Sequence, residues 1–229
     1  MLRSLIAPVA VMLTVFALSS QAQERLNHDA HVFDFGHVGI DFNVFHDFIL
    51  VNVLDYPITI TKVEVSCDCS TVATSDSTLL PGDTATFMLT FNTRDYYGPT
   101  NKSFTVFTDD PKHPKIEYSY SAIAGQWFHN LQPDPISLFF LPGKRGQKVK
   151  IANRKFDEIK LGDYDQFDGI FSVKILKKEA ENGEFIELEV EPSSDLGKGT
   201  YLTSLTLLLD KDGEDKPTIL TIPIKIVRY

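Results

Sequence analysis

The chain has 229 residues and a formal charge of −9, with 43% apolar, 11% aromatic and 23% charged residues. That apolar share excludes a disordered chain, and an acidic balance without a basic face argues against nucleic acid or an anionic lipid surface as partner. Two cysteines exclude a disulfide-built scaffold, while the length suffices for one or two hydrophobic cores without staples.

Residues 1–22 read as a cleavable signal peptide. Arg3 precedes an apolar run from Leu5 to Leu18, and Ser19-Ser20-Gln21-Ala22 places small residues at −3 and −1 of a cut after Ala22. The run falls short of the ~20 residues that a spanning helix needs, and no later stretch reaches that length. No cysteine lies near the cut to carry a lipid anchor. The expectation is an exported chain starting near Gln23, periplasmic or extracellular, with no membrane span.

Past the leader, period-two alternation recurs between short clusters of Gly, Pro, Asn and Asp, the pattern of an all-β fold. Leu54-Asp55-Tyr56-Pro57 is a turn, and Ile58–Val65 is a β-rich strand. Leu80-Pro81-Gly82-Asp83 is a second turn, feeding a strand over Thr84–Phe91. Phe104, Val106 and Thr108 share one strand face. The turn Asp109–Pro114 follows, and Ile116, Tyr118 and Tyr120 form the returning face of a hairpin. About 100 residues later the plan returns. Gly199 matches Gly98, Asp210–Asp215 matches the acidic turn, and Leu220, Ile222 and Ile224 match Ile116, Tyr118 and Tyr120. A repeat of this length suits two tandem β-sandwiches, over 28–125 and 127–229. Trp127 and Phe128 lie in the connection, where large apolar side chains predict a contact between the halves.

Alternation through Val63 and Val65 predicts that Cys67 and Cys69 point inward from one strand. Residues two apart on a strand have Cα atoms about 6.6 Å apart and parallel side chains, unfavourable for a disulfide. Three states remain open: small buried hydrophobes, a disulfide closed by a local bulge, or a soft-metal site in which Cys67 and Cys69 hold copper or zinc. The expectation adopted is inward, metal-free thiols and no cofactor. The six histidines (His28, His31, His37, His46, His113 and His129) share no ligand spacing. The acidic runs Asp163–Asp168 and Asp210–Asp215 lack the order of a calcium loop and read as turn chemistry.

An ordered set of residues in the first half carries a resemblance. It comprises Phe33-Asp34-Phe35-Gly36-His37-Val38, Asn52, Ile58–Val63, Ser66-Cys67-Asp68-Cys69-Ser70, Leu80-Pro81-Gly82-Asp83, Thr90-Phe91-Asn92-Thr93, Gly98 and Thr108-Asp109-Asp110-Pro111. Over about 31–124 this resembles an exported bacterial family of unknown function marked by Ser-Cys-Gly-Cys-Thr. The domains of that family resemble the Hydin-type, major-sperm-protein-like branch of the immunoglobulin sandwich. Asp68 stands where that family has Gly, and the second half has no Cys-x-Cys. The resemblance implies seven-stranded sandwiches in the bacterial envelope and brings no catalytic residues.

No nucleophile elbow, phosphate loop or dinucleotide glycine motif occurs, so an enzyme is not expected. The sequence predicts a non-catalytic exported binding or scaffolding module of the cell envelope with a protein or glycan partner. The alternative is a copper- or zinc-binding protein using Cys67 and Cys69.

Overall fold

The computed structural model describes residues 31–125, 131–165 and 169–229. The expected signal peptide, His28, and Trp127, Phe128 and His129 of the connection lie outside the described residues. Among the described residues there is no helix, and hence none able to cross a membrane. The first half contributes β1 (Val32–Val38), β2 (Asn43–Val51), β3 (Ile58–Val65), β4 (Ser70–Thr74), β5 (Thr78–Leu79), β6 (Thr84–Asn92), β7 (Gly98–Thr108) and β8 (Lys115–Ala124). The second contributes β9 (Pro133–Asp134), β10 (Leu138–Phe140), β11 (Gln147–Ala152), β12 (Glu158–Asp165), β13 (Phe171–Lys177), β14 (Glu179–Glu181), β15 (Phe185–Pro192), β16 (Gly199–Lys211) and β17 (Thr218–Arg228).

Alternation explains most of these strands. In β6, Ala85, Phe87, Leu89 and Phe91 are buried, while the threonines and Met88 between them stay at or near solvent. They meet Phe104 and Val106 of β7, Tyr118 and Tyr120 of β8, and Phe33 and Phe35 of β1 in one hydrophobic cluster. Aromatic pairs hold its centre, with Phe104 stacked on Tyr118 at 4.9 Å and Phe48 edge-on to both rings. A second cluster gathers Val149, Ile151, Leu161, Leu188, Leu205, Leu207 and Ile222 from the second half.

Strand order repeats between the halves. The run β5-β3-β7-β8-β1 faces β4-β6-β2 across the first cluster, and β14-β12-β16-β17-β10 faces β13-β15-β11-β9 across the second. In both halves an early strand lies parallel to the closing one, β1 against β8 and β10 against β17. Asn52 and Asn153, each almost fully buried, make the same bonds 101 residues apart. Asn52 Nδ2 donates to Tyr56 O and Leu79 O, and Asn153 Nδ2 to Phe156 O and Ala180 O. Their backbone carbonyls each accept from a left-handed glycine, Gly82 and Gly183.

The halves are continuous at one edge. β1 also pairs with β17 in parallel, His37 opposite Leu220, which fuses the larger sheet of each half into one ten-stranded sheet. A bulge between Asp34 and His37 makes this possible. Gly36 sits in it at φ 60°, and a Cβ there would lie 2.1 Å from the Ile219 carbonyl oxygen. Asp34 Oδ1 pins the bulge by accepting from Gly36 N and Ser121 Oγ.

β16 departs from alternation for the same reason. Its inward residues Leu205, Leu207 and Leu209 are buried as expected, but Ser204, Thr206 and Leu208 on the opposite face are buried too. That face is covered by the first half. Ser204 Oγ accepts from Phe45 N, Thr206 pairs with Thr221, and Thr221 Oγ1 donates to Phe35 O. Hydroxyls that pattern as solvent-facing thus supply the polar bonds of an internal seam.

Candidate functional site

β3 ends at Val65, and Ser66–Cys69 form the turn into β4. The alternation therefore stops two residues before Cys67, and Val65 is itself 39% exposed. The expectation of inward thiols on a strand is corrected here. The turn draws the two Cα atoms to 5.2 Å, and Cys67 and Cys69 are joined in a disulfide. A turn removes the obstacle that extended geometry would impose, because the two side chains converge instead of running parallel.

Hydrogen bonds fix both ends of this turn independently of sulfur. Ser66 N donates to Ser103 O, Ser103 N to Ser66 Oγ, and Asn92 N to Cys69 O at 2.8 Å. Both cysteines are half-buried, with Ser66 and Asp68 exposed beside them and Cys69 touching the first cluster. Ser70 lies beneath. Its Oγ is 3.7 Å from each sulfur and hydrogen-bonds Tyr120 OH. Neither sulfur of the disulfide carries hydrogen, so Ser70 O–H is the donor available toward sulfur, while either hydroxyl can donate in the Ser70–Tyr120 bond. Burial raises the Tyr120 phenol above its ordinary range, and the bond to Ser70 draws it partly back.

As a disulfide the pair has no thiolate to offer a soft cation, so copper or zinc at Cys67 and Cys69 requires the reduced form. Among the described residues no group of three or more His, Cys, Asp or Glu is placed to hold a metal. The histidines are dispersed. His46 is buried in β2, stacked on Phe33 at 3.5 Å with Asp165 Oδ2 3.3 Å from its Nδ1. His31 meets the edge of Tyr118, His113 bonds Asp110, and His37 sits at the β1–β17 seam. Of the acidic runs, Asp163–Asp165 belongs to β12 and Asp210 to β16, where turns were expected; residues 166–168 lie outside the described residues.

A feature not anticipated from sequence lies at the seam. A groove of about 370 Å³ is lined from both halves, by Phe42 and Phe45 on one side and Phe139, Leu202 and Lys225 on the other. Leu202, Lys225 and Phe139 are register neighbours across β16, β17 and β10. Leu202 and Phe139 are each 46% exposed, and the Lys225 ammonium lies 5.6 Å from the Phe139 ring centre. The sequence signal was available as apolar Leu202 and Phe139 at positions whose neighbours point inward.

Residues 26–120 match the family described as Protein of unknown function (DUF1573). No curated protein matches the chain. Solved structures with some likeness include a protein of unknown function from Porphyromonas gingivalis W83, with TM-score 0.34, 12% identity, 84% of this chain and 96% of that one covered. Another is the secreted serine protease VesC from Vibrio cholerae, with TM-score 0.34 and 12% identity over 88% of this chain and 54% of that one. The CupB2 chaperone of Pseudomonas aeruginosa has TM-score 0.30 and 11% identity over 83% and 97%. Likenesses this loose bear on neither fold nor function.

Proposed function

We propose that this is an exported protein of the bacterial cell envelope, two tandem immunoglobulin-like sandwiches behind a cleavable leader, which binds a protein or glycan partner without catalysis. The seam groove is the observation that supports this reading. It needs both halves to exist, and it presents an aromatic ring, an aliphatic side chain and a cation in one row at the surface. Such a row suits the apolar face of a sugar ring or a protein side chain, with Lys225 contacting an acceptor on the partner.

The test is capture from isolated envelopes with the mature chain, compared with a Phe139→Asp, Leu202→Asp double variant. The reading expects a partner or glycan retained by the native chain and lost by the variant. Identical capture by both would overturn the groove as the site. Metal analysis of untagged protein covers the alternative: stoichiometric copper or zinc lost on Cys69→Ser would replace this reading with metal binding at Cys67 and Cys69.

A further inference from the structure

We propose that the Cys67–Cys69 disulfide is a redox-exchange site for a dithiol partner protein, with the Ser70 hydroxyl stabilising the thiolate that leaves. The inference does not depend on the seam groove.

Four observations converge on it. The second half builds the same strand order without any cysteine, so the architecture does not require the bond. The bridge spans a sequence separation of 2, so it closes too small a loop to restrain the unfolded chain appreciably. It sits half-exposed in a turn whose ends are held by Ser66, Ser103 and Asn92, so opening it leaves both sulfurs in place to close again. Finally, Ser70 Oγ is equidistant from the two sulfurs, at 3.7 Å, and is backed by Tyr120. Whichever sulfur departs, the same hydroxyl meets it, and a hydrogen bond to a charged acceptor is the stronger kind.

The chemistry is a two-electron exchange. A partner thiolate attacks one sulfur, the S–S bond breaks, and the other cysteine leaves as a thiolate that accepts the Ser70 hydrogen bond. A mixed disulfide now joins the two proteins. The partner's second thiol gives up its proton and attacks its own sulfur in that mixed disulfide. The partner departs oxidised, and Cys67 and Cys69 keep two electrons and become thiols, one proton coming from the partner's second thiol and one from water.

The full mature chain, equilibrated in graded glutathione buffers and quenched with an alkylating reagent, reports the reduced fraction by mass. The site is expected to become half reduced where structural disulfides of secreted proteins stay oxidised. A Cys-x-x-Cys oxidoreductase with its second cysteine replaced by Ala is expected to trap a mixed disulfide at Cys67 or Cys69. Ser70→Ala should lower the equilibrium constant for reduction about tenfold, which is about 30 mV. Tyr120→Phe, which removes the hydroxyl that orients Ser70, should shift it in the same direction by less. Reduction only after unfolding, or no trapped adduct, would overturn the exchange site. An unchanged equilibrium in a folded Ser70→Ala variant would overturn the role of the hydroxyl. Should that variant not fold, an unchanged equilibrium in Tyr120→Phe would do so.

Discussion

Asn52→Ala is the perturbation whose cost follows most directly from the structure. Asn52 is 1% exposed and makes three side-chain bonds: to Tyr56 O at 3.0 Å, to Leu79 O at 2.9 Å, and from Leu54 N at 3.0 Å. Alanine removes all three. At a net of about 1 kcal/mol per bond, the loss is about 3 kcal/mol. Asn153→Ala, with two bonds donated and two accepted, should cost about 4 kcal/mol on the same arithmetic. Asn52→Asp should be no better than alanine, because an ionised carboxylate cannot donate to either carbonyl. Urea unfolding followed by fluorescence and circular dichroism measures this, with a midpoint shift of roughly 1 M expected for Asn52→Ala at an unchanged m-value. A loss below about 1 kcal/mol in both alanine variants would refute the claim that these two side chains brace the turns of the two halves.

Two further outcomes test the seam and the core. Gly36→Ala should destabilise far more than Gly82→Ala: both need a left-handed backbone, but a Cβ at Gly36 would collide with Ile219 O, while nothing lies within 4 Å at Gly82. Equal thermal shifts for the two would contradict a tightly packed bulge at the β1–β17 junction. Tyr118 is fully buried with its hydroxyl unpartnered among the described residues, and burial pushes its phenol up to about 12. The native state then keeps a proton that the unfolded chain loses above its ordinary pKa of about 10, so stability is full below that pH and falls as pH rises toward about 12. Tyr118→Phe should be neutral or stabilising near neutral pH and should flatten this alkaline decline; an identical decline in both proteins would refute the assignment.

Much of the fold was legible because it is local. The strand Ile58–Val65 has the bounds its β-branched run suggests, and Asp109–Pro114 turns between β7 and β8. The buried faces of Phe104, Val106, Tyr118 and Tyr120, and of Leu220, Ile222 and Ile224, follow from alternation alone. The cysteines show where alternation misleads. Val63 and Val65 continue a period that the turn at Ser66 interrupts, and no pattern of apolar residues marks a chain reversal lacking Gly or Pro. Ser70 closes the Ser66–Ser70 motif, but its hydrogen bond beneath the two sulfurs is to Tyr120, 50 residues away.

The all-β class and most strand faces follow from the sequence, since each rests on residues within a few positions of one another, and the repeated plan shows as the same local pattern returning about 100 residues later. The seam depends on contacts that no local pattern carries. One bulge at Gly36 lets β1 reach β17, and this buries Ser204, Thr206 and Thr221, whose hydroxyls pattern as solvent-facing. Which sheet edge meets which depends on pairings more than 150 residues apart, such as the Phe45 amide with the Ser204 hydroxyl at a separation of 159. Hydrophobic periodicity carries which face of a strand turns inward, but not which distant edge or surface will cover the other face.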